Sequence, residues 1–524
     1  MRKRMLGAVV LAVTLWWAAK AQDPTPQDAK TVLDQVAQTL GVSEMRSIRY
    51  IGGGFYFAFG QNYLPEESWP RFRMERYDRW VDYEHMESRE EIVRTQAESP
   101  PRGGGNQPLI GIQQQIASVS QEFAWNETAP LESLPDRSAK ITPFPPANAA
   151  IAAAAPAAAV ERQRQILMTP HGFVKAAMTH EVALSYQTQR RRRLTILSFK
   201  LEDGTPVNAT VNDRNEIERV DSRMPNPVLG DMPVQYIYLN YKDFDGVLFP
   251  TQILQYQGAF QTLEVLVTDV AANSSERLAV PAQARITRIE PPRVEVQSVA
   301  EGLWFLTGGS HNSVAVEFRD YVAIIEAPLN EERSLAVIDE VHKLAPNKRI
   351  RFLINTHHHF DHSGGLRAYV AEGTTIITHA SNRRFYDLVF GGERQLYPDR
   401  LSQSGTPPSV EPVGNRYVLR NGGRVMEIYL IEGNLHNGGL LMAYLRRERL
   451  LVEADAFTPA PPNASPPATP NPFTVNLYEN VQRLKLDVAQ IAPIHGRLVP
   501  WSELVKAIGK ETDSQPDGML HAAR

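Results

Sequence analysis

The chain has 524 residues, with 55 Lys and Arg against 59 Asp and Glu for a net charge of −4, and it contains no cysteine. That length exceeds one ordinary core and predicts two or three domains. The charge leaves no electrostatic footprint for nucleic acid, and the missing cysteines exclude disulfides and thiolate sites.

The first predicted element is a signal. Arg2, Lys3 and Arg4 precede a nearly continuous apolar run over Leu6–Ala19, and Ala19-Lys20-Ala21 fits a small-x-small cleavage site. Residues 1–21 are therefore expected to be removed, leaving Gln22 as the mature start and a charge near −8, since that segment holds four basic residues and no acids. The apolar run is short for a membrane span. No later segment is apolar enough to cross a bilayer, so the expectation is a periplasmic or secreted protein with no stable span after cleavage. The sequence does not fix an oligomeric state.

Residues 22–292 carry no evident catalytic set and read as a β-rich domain. A helix is predicted around Ala29–Leu40. Strands follow at Ile48–Phe59, Val182–Tyr186, Leu194–Leu201, Val234–Tyr241 and Thr251–Ala259, rich in Tyr, Phe, Val and Ile. Asp243-Phe244-Asp245-Gly246 reads as a turn between two of them. An antiparallel, strongly curved sheet is expected. Its stretch from Tyr241 to Pro250 faintly resembles the half-barrels of periplasmic lipoprotein carriers. Pro143–Val160 is rich in Ala and Pro, a linker or a surface helix. Arg190–Arg193 reads as a solvated strand end or hairpin rather than an anion site. Pro291-Pro292 marks a domain boundary.

From 293 to 512 the pattern becomes mixed α and β, with 513–524 as a tail. Short strands are predicted at Gly302–Gly308, Val314–Phe318 and Val322–Ala327. Asn330 caps a helix over Glu331–Leu344, with acids in its first turn and Pro346 beyond its end. Arg351–Asn355 is a buried strand, and Gly364-Gly365 lets a helix at Leu366–Val370 approach closely. Thr374–Thr378 is a strand and Ser381–Val389 a helix. Arg424–Ile431, Gly439–Leu445 and Leu450–Ala454 are strands, Val481–Leu486 is helical, and Val488–Ile494 is the last strand.

The chemistry sits at the end of Arg351–Asn355. There the run Thr356-His357-His358-His359-Phe360-Asp361-His362 contains His-x-His-x-Asp-His. Imidazole and carboxylate are ligands that Zn²⁺ and its neighbours accept, and such a metal acidifies water. His357 and His359 are two apart on extended backbone and point to one side. Asp361 and His362 enter a turn and point elsewhere, so one segment can serve two metals. Three further candidates each follow or end an apolar run: His436, Asp455 and His495.

This set, in this order, resembles the metallo-β-lactamase superfamily of hydrolases over roughly residues 293–512. The resemblance implies an αββα sandwich. It implies that His357, His359 and His436 hold a first metal, that Asp361, His362 and His495 hold a second, and that Asp455 bridges them. Two divalent ions, zinc expected, would share a hydroxide that attacks an ester, lactone, thioester or similar bond of a small-molecule substrate. Asp361 would orient that hydroxide and pass on its proton. His311 is a candidate substrate contact or a loop residue. His358 and His379 read as packing or supporting residues. Glu326 stands where the family usually has Asp. Thr458–Pro472 reads as a pocket wall or a stiff loop.

Three other readings compete: a true β-lactamase, against which Asp455 argues; an iron-dependent sulfur dioxygenase, which keeps this His pattern; and a binding protein with a vestigial metal site. All seven ligand candidates lie between His357 and His495. The metal chemistry is therefore expected to need only the part beyond Arg293.

Overall fold

A computed structural model describes residues 28–135, 141, 144, 147–189, 192–465 and 467–510. The expected signal at 1–21, Arg190 and Arg191 of the basic run, and the tail at 513–524 fall outside these residues. No helix among the described residues is long and apolar enough to cross a membrane.

The N-terminal part is one sheet of 13 antiparallel strands. It is a meander closed in the middle: the first strand, Ser47–Phe57, pairs with both Arg71–Asp82 and the last, Phe260–Ala272. The five predicted strands are all present. Two of the missed ones are half charged or more. Arg71–Asp82 and Glu87–Gln96 do not look like buried strands because their acids and bases hide a β pattern. In the fold these charges pair within and across strands: Arg49 with Asp78 at 2.9 Å, Arg79 with Glu90 at 2.7 Å and Arg89 with Glu91 at 2.8 Å. Register shifts flank Gly52 on Ser47–Phe57. A Cβ at Gly52 would lie 2.1 Å from the Leu266 carbonyl oxygen, so only glycine permits that approach.

Three helices, Ala29–Thr39, Ala159–Leu167 and Pro170–Ala177, cover one face of the sheet. Val36, Ile166, Phe173 and Val174 pack there with Tyr50, Tyr77, Tyr238 and Phe249. The Ala-rich segment is neither wholly linker nor wholly helix. Ala152–Ala154 adds an edge strand before Ala159–Leu167 begins. Arg192 pairs with Glu218 and Arg193 lies over the Tyr186 ring, so these two residues sit at an exposed strand end.

Beyond residue 293 two sheets pack face to face. One holds seven strands from Glu295–Ala300 to Ser409–Val413, the other six from Arg416–Asn421 to Val499–Pro500. Val314, Val316, Ile325 and Ile354 of the first meet Met426, Ile428, Ala443 and Val452 of the second. Helices Glu331–Leu344, Leu366–Ala371 and Arg383–Gly391 cover the outside of the first sheet. Pro472–Arg483 and Trp501–Ala507 cover the second. This is the expected αββα order. The helix expected at Val481–Leu486 instead spans Pro472–Arg483. Pro472 supplies its fixed φ at the first position and the Asn471 side chain accepts from Phe473 N, a start hidden within a Pro-rich run.

Candidate metal centre

Four strands deliver the candidate ligands to one edge. His357–His362 follow Ile350–Ile354, which runs parallel to Val322–Ile325. His436, Asp455 and His495 lie beyond the carboxyl ends of Arg424–Leu430, Leu450–Glu453 and Gln490–Pro493. The latter two are parallel, so their ends meet. Asp455 and Glu326 adopt φ of 60° and 73°, left-handed values that non-glycine residues hold only where surroundings enforce them.

The donors gather in two groups. One is His357, His359, His436 and Asp455; the other is His311, Asp361, His362 and His495, each with donor atoms within 4.8 Å of one another. Asp455 touches both: its Oδ2 lies 3.2 Å from His357 Nε2 and 2.7 Å from His362 Nε2, and its Oδ1 lies 2.9 Å from His495 Nε2. The structure thus brings together all seven residues named from sequence, and adds His311. That side chain is not a bare loop residue: its Nε2 is 3.3 Å from Asp361 Oδ2 and its Nδ1 is 2.8 Å from Ser310 Oγ.

The residues fit a metal pair. His436 Nε2 faces His357 Nε2 at 3.4 Å, and His495 Nε2 faces His362 Nε2 at 3.2 Å. Tetrahedral zinc with bonds of about 2.0–2.1 Å spaces its nitrogen ligands by roughly 3.3 Å. His359 Nδ1 is buried without a hydrogen-bond partner. Its Nε2 donates to the Asn62 carbonyl at 2.8 Å, which leaves Nδ1 as a free lone pair. His362 donates from Nδ1 to Glu326 Oε2 at 2.8 Å, and the other oxygen of Glu326 accepts from Thr356 N at 2.6 Å. Glu326 thus braces the ligand segment at both His362 and the Thr356 backbone.

The electrostatics favour a cation. Burial lowers His357 to about 4, with the His362 charge adding to it. His359 is held well below its ordinary value by burial and by His357. Both are neutral ligands at pH 7. Burial opposes a charge on His362 as well, yet Asp455, Asp361 and Glu326 together raise it well above its ordinary value. Three carboxylates around one buried imidazole stabilise positive charge there, whether a proton or a metal ion.

The N-terminal part adds no side chain to either donor group, yet it touches the ligands. Its loop after Ser47–Phe57 reaches into the site. Gly60 accepts from Phe360 N at 3.2 Å, Gln61 Nε2 donates to Asp361 Oδ1 at 2.8 Å, and Asn62 Oδ1 lies 3.0 Å from His358 Nε2. A second loop follows: Gly103 N donates to the Leu435 carbonyl at 2.8 Å. His358 is thus a supporting residue, also bonded by Asn437. His379 bonds Ser381 and belongs to neither donor group. Gln61 and Asn62 carried no sequence signal, since a single Gln-Asn pair after a strand is ordinary loop composition.

A cavity of about 530 Å³ opens over the donors. Tyr56, Phe59, Arg94 and Gln107 line it from the N-terminal part, and Asp361, His436, Asp455 and His495 from the other. Thr458 and Asn471 also line it, so the Pro-rich segment is a pocket wall at both its ends.

Residues 306–492 match the Lactamase_B family model, described as Metallo-beta-lactamase superfamily. Among solved structures, a metallo-β-lactamase from Pontibacter korlensis is 15% identical with a TM-score of 0.32, covering 41% of this chain and 98% of its own. One from Hirschia baltica is 19% identical with a TM-score of 0.31, covering 41% and 96%. FIM-1 from Pseudomonas aeruginosa, in a mono-zinc form, is 17% identical with a TM-score of 0.31, covering 41% and 93%. No curated protein matches the chain. Residues 306–492 are a metallo-β-lactamase superfamily domain, preceded by an N-terminal antiparallel β-sheet domain.

Proposed function

We propose that the chain is an exported hydrolase that depends on two divalent metal ions, zinc foremost, and cleaves an ester, lactone, thioester or related bond. The observation that carries this reading is the convergence of two four-residue donor groups, linked through Asp455, on the floor of one cavity. His357, His359 and His436 would hold one ion, Asp361, His362 and His495 the other, with Asp455 between and His311 beside the second. Such a metal pair polarises a substrate oxygen and acidifies water.

The protein's own groups prepare the rest. Burial opposes ionisation of Asp361, but the His362 charge and the His311 hydrogen bond hold its carboxyl well below the usual carboxylate range. It therefore stays an acceptor, steadied by Gln61 on one oxygen and His311 on the other, and can orient a water O–H. Phe59 and Phe473 give the cavity apolar wall that limits solvent and seats an apolar portion of substrate. No Ser or Lys nucleophile is needed.

The test is elemental analysis of gently purified protein followed by assays on esters, lactones, thioesters and β-lactams. Two equivalents of metal and hydrolysis lost on chelation are expected. Trace metal, with no activity recovered on adding zinc, would defeat the reading. Export is tested separately, by mass spectrometry of the exported protein for a start at Gln22.

A further inference from the structure

We propose that the N-terminal sheet carries an anion-binding subsite for the substrate, built from Arg94 and Gln107 in the cavity above the metal centre. The inference rests on the hydrolase reading and names its substrate class. That class is a molecule with the scissile bond at one end, an apolar middle, and a carboxylate or similar small oxyanion at the other.

Arg94 lies near the end of the strand Glu87–Gln96 and is only 2% exposed. Its Nε and Nη2 both donate to Gln113 Oε1, at 2.9 and 2.5 Å. That acceptor is neutral. Its guanidinium lies 4.6 Å from the centre of the Phe72 ring and 5.5 Å from that of Tyr56. Among the described residues no Asp or Glu ion-pairs with it, whereas Arg79 and Arg89 of the same sheet each have a carboxylate. Burial pushes Arg94 down from its ordinary value, with only Tyr56 opposing. An arginine in this setting stays charged, so the fold holds a buried cation without an anion. Nη1 makes no hydrogen bond among the described residues, and the side chain lines the cavity.

Gln107 supplies the independent observation. It is 6% exposed, lines the same cavity, and neither its Nε2 nor its Oε1 has a hydrogen-bond partner. Buried amides are almost always bonded, and one left open toward a cavity marks the place of a ligand. An oxyanion accepting from Arg94 Nη1 and Gln107 Nε2 would satisfy the charge and one end of the amide together. Gln107 Oε1 then asks for an N–H or O–H on the same ligand. Among the described residues the acids lining the cavity are Asp361 and Asp455, both in the metal centre, and the wall at Arg94 and Gln107 presents no carboxylate.

The experiment uses the zinc-loaded full chain and two matched substrates: the 4-nitrophenyl monoester of glutaric acid, and its neutral methyl ester. Wild type is expected to favour the acid by about tenfold or more in kcat/KM, the worth of a charged hydrogen bond. Arg94→Gln should bring that ratio close to one, and Arg94→Lys should keep part of it. Should Arg94→Gln fail to fold, as judged by its melt, Gln107→Leu reads the same subsite and should lower the ratio several-fold. A wild-type ratio near one, or a ratio unchanged in these variants, overturns the subsite. Calorimetric binding of glutarate, and of ethyl phosphate, separates this proposal from the hydrolase reading. If neither ester is cleaved but either anion binds more weakly to Arg94→Gln than to wild type, the subsite stands whatever the wider substrate panel returns for the hydrolase reading, with the tighter anion naming its chemistry. If both proteins bind both anions alike, or bind neither, the subsite fails whatever the enzyme does.

Discussion

The two parts of this molecule contribute to one site in different ways. The C-terminal sandwich puts imidazoles and carboxylates at strand ends, where short loops fix them and a linear motif records them. The N-terminal sheet puts no side chain in either donor group. It contributes a backbone carbonyl at Asn62, an amide at Gln61 and a cavity wall. The difference teaches that donor chemistry is local to one domain while support and enclosure are shared across both.

The sharpest way to break the comparison is to remove a donor. Asp361→Ala and His436→Ala are each expected to reduce hydrolysis to background with metal in excess, while circular dichroism keeps the β-sheet signal. Substantial residual turnover in either variant would mean that the metal centre is drawn around the wrong residues. The next effect lies one layer out. Glu326→Gln keeps the shape but removes the charge that His362 Nδ1 meets at 2.8 Å. Such outer partners are worth about ten- to a hundredfold in metal affinity. Competition with a chelator measures it, and an unchanged affinity would show that Glu326 only braces Thr356.

The sequence discloses this inner layer because its elements are short in span. His357 to His362 are consecutive, and the remaining donors follow apolar runs whose boundaries Gly and Pro announce. The supporting layer is long in span. Gln61 and Asp361 are 300 residues apart, and no periodicity links them. Arg94 was one charge in a strand hidden by charges, and only its pairing with Gln113 instead of an acid sets it apart. His311 was visible as a candidate, but its place beside His495, with ring centres 4.1 Å apart, depends on how two strand ends meet. In the N-terminal sheet, Arg71–Asp82 and Glu87–Gln96 were illegible because charges that pair across strands interrupt the apolar pattern of their buried Met74, Tyr77, Trp80 and Ile92.

A smaller effect tests whether the N-terminal loops support the centre or merely cover it. Gln61→Ala removes one hydrogen bond to Asp361, and a loss of about tenfold in kcat/KM is expected, the lower end of what outer partners contribute. Gly104→Ala should act in the same direction. A Cβ there would sit 2.0 Å from Gln61 Oε1 and 3.0 Å from His359 Nδ1, so the loop must back away from both. Wild-type activity in both variants would reduce the N-terminal sheet to a cover and restore the simpler division between the domains.

The least effect on activity at neutral pH, and the one that isolates the N-terminal core, belongs to His171. It lies in the helix Pro170–Ala177, fully buried, with its ring stacked on Phe249 at 5.9 Å. Nε2 donates to the Leu40 carbonyl at 3.2 Å, and Nδ1 has no partner. Burial lowers it to about 4, and Lys175 on the same helix adds to the shift. Above about pH 6.5 both the folded and the unfolded chain hold this histidine neutral, and it contributes no pH dependence. As pH falls from about 6.5 to about 4, the unfolded chain takes up a proton that the folded chain refuses, so stability drops, by about 3 kcal/mol over the window. Below the folded value the loss stops growing. Urea unfolding at pH 7.5 and pH 5 measures this. His171→Gln, which cannot take up the proton, should fall less between those pH values than wild type. The metal centre titrates in the same acid range, but both proteins share it, so the difference between their slopes reports His171 alone. Equal slopes would mean that the N-terminal core opens enough at pH 5 to solvate this ring, and that the sheet behind the site is looser than its packing indicates.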